Sequence, residues 1–331
     1  MKILVTGGCG FAGHHLVEHV LATTDHQLVV LDSLTYAGRV DRLTDIAGYD
    51  PDRVKILWHD LRAPLPDHPA LDDVGAVFHL AAESHVDRSI ADPVPFVTNN
   101  VAATLNLLEW ARGRDLSHFV QISTDEVYGP AAEGHAHAEW EPPIPSNPYA
   151  ASKASQEALA IAWWRTFDVP VVITNTMNLY GERQHPEKFV PMLVKRIARG
   201  APVELHGRPG PEGWEPSARH WLHARNHADA LVWLLGQPVA RYGVDVDRPD
   251  RWHVAGEERT VVEMAETVGQ ILHRRPSIRW VDYHSSRPGH DHRYALDSAK
   301  IHAAGWKPPF SLDDALERTV VWMVGHPQWL R

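Results

Sequence analysis

Along the first 175 residues, short apolar runs rich in β-branched residues alternate with longer stretches whose apolar positions recur at helical spacing. The runs at 3–6, 28–31, 54–58, 76–80, 119–123 and 171–174 predict strands, and the stretches at 13–22, 95–112 and 148–167 predict helices. Leu28-Val29-Val30-Leu31 is apolar at every position, as a parallel strand covered on both faces requires. This alternation predicts an α/β architecture, a Rossmann-like doubly wound parallel sheet. After Asn175 the rhythm breaks. Helical patterns return at 189–199, 226–235, 260–272 and 312–323 with short strands between, while prolines and glycines crowd 207–216, which predicts a surface loop there. The expected organisation is a nucleotide-binding domain over 1–175 that also carries the reactive residues, and a smaller mixed α/β lobe over 176–331, with the chain free to cross between them.

Composition narrows the function classes. With 44% apolar and 22% charged residues in 331, the chain is an ordinary globular one. Forty-two acidic against 32 basic residues leave a net charge of −10, which argues against a nucleic acid partner, since that affinity comes mainly from neutralising phosphates. Cys9 is the only cysteine, so no internal disulfide and no four-ligand thiolate zinc site can form, and a cytoplasmic location is expected. The 23 histidines are scattered without metal-ligand spacing, and no metal is expected. No apolar run reaches the roughly 18 residues of a membrane helix, and the opening Lys2-Ile3-Leu4-Val5 has no signal-peptide pattern. Neither export nor a membrane partner is expected.

Chemistry enters at the first turn. Thr6-Gly7-Gly8-Cys9-Gly10-Phe11-Ala12-Gly13 leaves the first predicted strand and opens the first predicted helix. Glycines in that setting allow a tight turn, close approach of backbone N–H groups to a pyrophosphate, and close helix-on-strand packing. Asp32 ends the second strand nineteen residues past Gly13, where a carboxylate can bond both ribose hydroxyls and repel a 2′-phosphate, which selects NAD over NADP. Asp60, ending the third strand, can accept from the adenine amine or serve as a solvated loop acid.

Two further segments carry reactive groups. Asn147-Pro148 begins a helix with an N-cap residue and a proline at the first position, and Tyr149 and Lys153, four residues apart, share one face. A neighbouring ammonium, an oxidised nicotinamide and the helix N-terminus all favour the phenolate, making Tyr149 a candidate base. Ser123-Thr124-Asp125-Glu126 leaves the carboxyl end of the fifth strand, the end that faces the ligand crevice in such sheets. If both acids point into a closed site, burial and mutual repulsion raise at least one pKa, giving one acid and one base; the alternative is a solvated acidic doublet.

Taken together these segments resemble the extended short-chain dehydrogenase/reductases, and specifically the dTDP-glucose 4,6-dehydratase family. The matching stretches are 6–13, Asp32-Ser33-Leu34-Thr35-Tyr36-Ala37-Gly38, 79–89 with His79-Leu80-Ala81-Ala82-Glu83-Ser84-His85, 123–129, Tyr149 to Lys153, His185-Pro186-Glu187-Lys188 and Arg287-Pro288-Gly289-His290-Asp291. The resemblance implies a lyase that converts an NDP-hexose to an NDP-4-keto-6-deoxyhexose through an internal redox cycle on NAD. It implies Tyr149 as the O4 base, Glu126 as the C5 base, Asp125 as the acid at C6, Thr124 as a hold on O4, and Lys153 bonding the nicotinamide ribose and lowering the tyrosine pKa. Cofactor contacts are implied at Gly7, Gly10, Phe11, Ala12, Gly13, Asp32, Asp60, Leu61, Ala81 and Ala82, together with Tyr149 and Lys153. Substrate contacts are implied at Glu83, Ser84, His85, Asn178, Glu187, Lys188, Arg219, Arg287 and His290. A homodimer through the helices at 95–112 and 148–167 is implied as well. The chain departs from the family at Met177, at Glu182-Arg183-Gln184, and in a longer segment from Arg208 to Ala218 before Arg219-His220-Trp221, which leaves the base and the hexose open. Two other readings stay open: a UDP-sugar dehydratase, 4-epimerase or decarboxylase on the same scaffold, and a non-enzymatic NAD-binding regulator.

Overall fold

Seven parallel strands form the central sheet of the computed structural model, which describes residues 1–211, 213–282 and 293–331. Six come from the first half: β1 (Lys2–Thr6), β2 (Gln27–Asp32), β3 (Val54–Trp58), β4 (Val74–His79), β5 (His118–Thr124) and β6 (Val171–Thr176). Their spatial order is β3-β2-β1-β4-β5-β6, so the winding reverses between β1 and β4 and opens a crevice at the carboxyl ends of those strands. Side-chain alternation assigns the faces. Ile3, Val5, Leu28 and Val30 pack in one core with helices α1 (Phe11–Thr23) and α5 (Ala224–Leu234). Leu4, Val29, Leu31 and Ile173 pack in the other with α2 (Ala102–Ala111) and α3 (Pro148–Phe167). Both faces are covered, which is why the strands read as continuous apolar runs.

The lobe has its own core, in which α4 (Phe189–Ala198), α6 (Val261–Ile271) and α7 (Leu312–Gly325) pack with Val203, Leu205 and Trp221. Thr260 begins α6 with a capping box closed by Glu263. The chain crosses back to the first sheet twice. Helix α5 packs against α1, and β11 (Asp250–Val254) adds the seventh strand beside β6. Among the described residues, two smaller three-stranded sheets complete the lobe. In one, β10 (Ala218–His223) lies between β7 (Leu179–Tyr180) and β12 (Glu257–Thr260).

Two sequence expectations need correction. The segment at 207–216 is not a plain surface loop: β8 (Val203–Gly210) turns into β9 (Gly213–Pro216) as an antiparallel hairpin, with β13 (Ile278–Asp282) pairing parallel to β8. Trp214 stacks flat on Trp280, 5.7 Å between centroids, which supplies apolar cover that the Gly/Pro content hides. The helix expected over 95–112 is not α-helical throughout. A short α turn at Val94–Phe96 leads into a π-helical segment, Val97–Val101, before α2 begins. All these residues share helical dihedrals, so periodicity alone could not show the change in hydrogen bonding.

Candidate active site

The glycine turn leaves β1 directly and α1 begins at Phe11 with Gly10 as its N-cap. The first-turn N–H groups therefore face outward at the crevice without a side-chain cap. Gly7 sits at φ +70, and a Cβ there would fall 2.9 Å from the Ala81 backbone; a Cβ on Gly13 would fall 2.3 Å from the Gly7 carbonyl oxygen. Both positions require glycine, the second because the helix lies against its own turn. Gly13→Ala is expected to push α1 off the turn, costing roughly 1–3 kcal/mol as overpacking does, and to weaken NAD binding at least tenfold. Thermal denaturation and NAD titration check it, and unchanged affinity would count against the cradle.

Gly7, Gly10, Phe11, Ala12 and Gly13 line a cavity of about 600 Å³ together with Asp32, Asp60, Leu61, Ala81 and Ala82. Asp32 is buried at the end of β2 and accepts from the Cys9 N–H at 2.9 Å and the Leu34 N–H at 2.8 Å. Burial pushes its pKa up against these bonds. A carboxylate has about four acceptor sites, so capacity for ribose hydroxyls remains. Asp60 is paired with Arg62, whose Nε lies 2.9 Å from Oδ2, and this partner holds its carboxyl below the ordinary range. The residues present fit a dinucleotide: a cradle only glycine permits, a free helix N-terminus, and a carboxylate at the end of β2.

The reactive groups meet further along the same cavity, which Thr124, Asp125, Glu126, Tyr149 and Lys153 all line. Thr124 ends β5 and caps the 3₁₀ turn Asp125–Tyr128; its hydroxyl accepts from the Glu126 N–H at 3.3 Å and donates to Asp125 Oδ1 at 2.8 Å. Asn147 caps α3 by accepting from the Ala150 N–H at 2.9 Å, while its amide nitrogen donates to Glu126 Oε2 at 2.9 Å. One residue thus starts the helix that carries Tyr149 and holds the carboxylate opposite it. Burial raises the pKa of both acids; for Glu126 the Asp125 charge adds to it and the value reaches about 7. The acids are not a solvated doublet.

Tyr149 departs from expectation. Burial, then Glu126 and Asp125, push its phenol well above the ordinary value, opposed by a hydrogen bond with Thr124. Lys153 shares the helix face, yet its ammonium reaches back to donate to the Ile122 carbonyl at 2.7 Å, and burial lowers its own pKa to about 8. In the free chain the Thr124 hydrogen bond alone opposes the rise of the Tyr149 phenol.

Of the residues implied for the sugar nucleotide, Glu83, Ser84, His85, Asn178, Glu187 and Lys188 line the cavity. Burial opposes ionisation of Glu187, but His85, His185 and Arg88 hold its carboxyl below the ordinary range; Arg88 Nη2 lies 3.0 Å from it and the Arg88 guanidinium stacks 3.8 Å over the Tyr36 ring. Arg219 is not among the lining residues; it is buried with its guanidinium 5.1 Å from the Tyr294 ring centre. Arg287 and His290 lie outside the described residues. Of the departures from the family pattern, Met177 and Gln184 line the cavity. Glu182 is a structural anchor, buried between His223 at 3.3 Å, Arg225 at 3.6 Å and Arg318 at 3.1 Å.

Sequence reasoning missed two supports. Asn147 was legible as a cap but not as the donor to Glu126. Asn100, in the π-helical segment, accepts from the Glu83 N–H at 2.7 Å and donates to the Glu83 carbonyl at 3.1 Å and to Ser152 Oγ at 2.9 Å, so it pins the loop after β4 to the helix bearing Tyr149. No sequence signal marks it beyond a polar residue in an apolar helix.

Fold and site define an NAD-dependent enzyme of the extended short-chain dehydrogenase/reductase class. The chain is 40% identical over 343 residues to the dTDP-glucose 4,6-dehydratase of Streptomyces niveus, covering 99% of this chain and 94% of that one. It is 38% identical over 331 residues to the low-salt glycan biosynthesis protein Agl12 of Haloferax volcanii, covering 98% and 99%. The crystal structure of the Streptomyces venezuelae dTDP-glucose 4,6-dehydratase DesIV with NAD bound superimposes with a TM-score of 0.86 at 36% identity, covering 99% and 98%. Residues 4–319 match the GDP-mannose 4,6 dehydratase family, and the chain belongs to it.

Proposed function

We infer that this chain is an NAD-dependent nucleotide-sugar 4,6-dehydratase, a hydro-lyase converting an NDP-hexose to its 4-keto-6-deoxy product. The observation that carries the reading is the meeting of Thr124, Tyr149 and the acid pair Asp125–Glu126 in one cavity that runs to the glycine turn. An epimerase has no use for that pair. NAD, when bound, supplies a hydride acceptor for C4 and a donor for C6. Tyr149 takes the O4 proton while Thr124 holds O4. The C4 ketone acidifies the C5 proton, which Glu126 removes, and Asp125 protonates the departing C6 hydroxyl, so one water leaves; when C6 takes the hydride back, Glu126 returns a proton to C5. Glu83, Ser84, His85, Asn178, Glu187 and Lys188 contact the sugar nucleotide, with Arg287 and His290 assigned to it from the family resemblance. Arg219 acts from behind the wall, its charge favouring ionised carboxylates at Asp125 and Glu126.

The pair must hold one proton. In the free protein burial raises both pKa values and the Asp125 charge raises that of Glu126 further, so the two acids share one proton. When Thr124 turns its hydroxyl to O4, Asp125 loses that donor and its pKa rises, while Asn147 continues to stabilise the Glu126 carboxylate. The proton passes to Asp125, and the acid and base take up their roles.

The sign of the pH dependence follows. Deprotonating the pair removes the acid, so kcat/KM falls on the alkaline side with a midpoint set by Glu126, about 7 in the free enzyme. Asn147→Ser keeps a capping oxygen but deletes the donor to Glu126, so that limb moves to higher pH; a pH profile of kcat/KM checks it, and an unmoved limb would sink the assignment.

The direct test incubates the enzyme with dTDP-, UDP-, GDP- and CDP-hexoses and weighs the products. A keto product lighter by one water without net NAD consumption is expected; a product of unchanged mass would overturn dehydration in favour of epimerisation. No helix among the described residues is long and apolar enough to cross a membrane. Val94, Val97 and Leu105 are exposed along the helical stretch leading into and through α2, which supports a homodimer through that face, and the single buried thiol Cys9 suits a cytoplasmic location.

A further inference from the structure

The segment from Ala131 to Glu141 serves no step above, yet it assembles a cluster of its own. His135 Nε2 lies 3.2 Å and His137 Nδ1 2.6 Å from one oxygen, Glu141 Oε2, and the three ligand atoms lie within 4.8 Å of one another. The two imidazole planes stand at 88° with centroids 5.1 Å apart, so their nitrogens approach the carboxylate from different directions. We propose that His135, His137 and Glu141 form a binding site for a borderline divalent cation of the zinc type. Two imidazoles and one carboxylate are the donor set that zinc and its neighbours prefer, whereas magnesium and calcium demand oxygen ligands.

The segment is held in place before any ion arrives. The His137 N–H donates to the Ala295 carbonyl at 2.9 Å and the Asp297 N–H returns to the His137 carbonyl at 2.9 Å. Arg293 Nη1 donates to the Ala132 and His135 carbonyls at 2.8 and 2.6 Å. The His137 ring stacks on Tyr128, 5.3 Å between centroids at 19°. The Ala138 N–H donates to Glu141 Oε1 at 2.9 Å, which orients the carboxylate and leaves Oε2 toward the imidazoles, the outer-shell support that metal-ligating groups commonly have. An ion needs metal–nitrogen and metal–oxygen distances near 2.0–2.2 Å, so small side-chain shifts from the present spacing suffice. The His135 side chain is 48% exposed and that of Glu141 31%, leaving an open side for water as a fourth ligand. Two of the histidines meet here because the turn at Glu139–Trp140, closed by the Glu141 N–H on the Ala138 carbonyl at 3.2 Å, folds the His-x-His-x3-Glu segment back on itself.

The test dialyses the full chain against micromolar Zn²⁺ and measures bound metal for the wild type, His135→Ala and Glu141→Gln. The first variant alters a half-exposed ring, and the second keeps an oxygen for the Ala138 N–H, so circular dichroism should show all three folded. Wild type is expected to hold one equivalent more than either variant, and Mg²⁺ should bind at this cluster in none. Because the three ligands are brought together only in the folded chain, free Zn²⁺ at a hundredfold the site's Kd should raise the folded-to-unfolded ratio by up to about a hundredfold, binding to unfolded histidines reducing the gain, and by more in the wild type than in either variant. Equal metal content and equal Zn²⁺ stabilisation in wild type and both folded variants would overturn the site.

Discussion

Tyr149→Phe should lose about 10²–10⁴-fold in kcat, the range typical of deleting a general base, while NAD content and thermal stability stay close to wild type. Only the hydroxyl goes. The ring keeps its edge contact with Phe96, 6.5 Å between centroids, so the packing is retained. The loss should appear at the first chemical step, as the absence of any 4-keto sugar in a single turnover. Burial and the two acids hold the phenol above its ordinary value, so the variant removes a group that is protonated in the free chain. Product formation by the variant at the wild-type rate would remove Tyr149 from the mechanism, and loss of NAD along with activity would reassign it to binding.

The second large effect is at Glu126. Glu126→Gln keeps the size and can still meet the Asn147 amide through its oxygen, but cannot accept a proton. The expected result is a 4-keto hexose that retains its C6 hydroxyl, at most one equivalent per active site, with dehydration slowed by at least 10²-fold. Solvent deuterium should no longer enter C5. This pattern separates Glu126 from Tyr149, because one variant stops before the ketone and the other after it. A deoxy product carrying solvent deuterium at C5, made at the wild-type rate, would show that another group takes the C5 proton.

Much of this site is readable in the chain because its parts are local. The glycine turn, Asp32 and the acid pair each sit at the carboxyl end of a strand that announces itself as an unbroken apolar run, and a parallel sheet brings those ends to one crevice whatever the details of the loops. Tyr149 and Lys153 share a face by helical spacing alone. What escaped is set by distant partners. The direction of the Lys153 ammonium depends on the Ile122 carbonyl, thirty-one residues away, and Asn100 acts through Glu83 and Ser152. The hairpin at β8–β9 forms despite its glycines and prolines because β13, far along the chain, pairs with it and Trp280 covers Trp214. The π-helical segment is hidden for another reason: its dihedrals are helical and only its hydrogen-bond partners change.

The seventh strand carries a consequence for biosynthesis. Since β11 pairs with β6, and α5 buries Ala228, Leu231 and Leu234 in the core that also holds Leu16 and Val20 of α1, the nucleotide-binding half is finished only by residues beyond 220. A nascent polypeptide paused at residue 200 on the ribosome would present β6 as a bare sheet edge and α1 with an oily flank uncovered, both prone to sticking. Truncating the gene after the apparent Rossmann unit should therefore yield inclusion bodies and not a miniature NAD-binding protein.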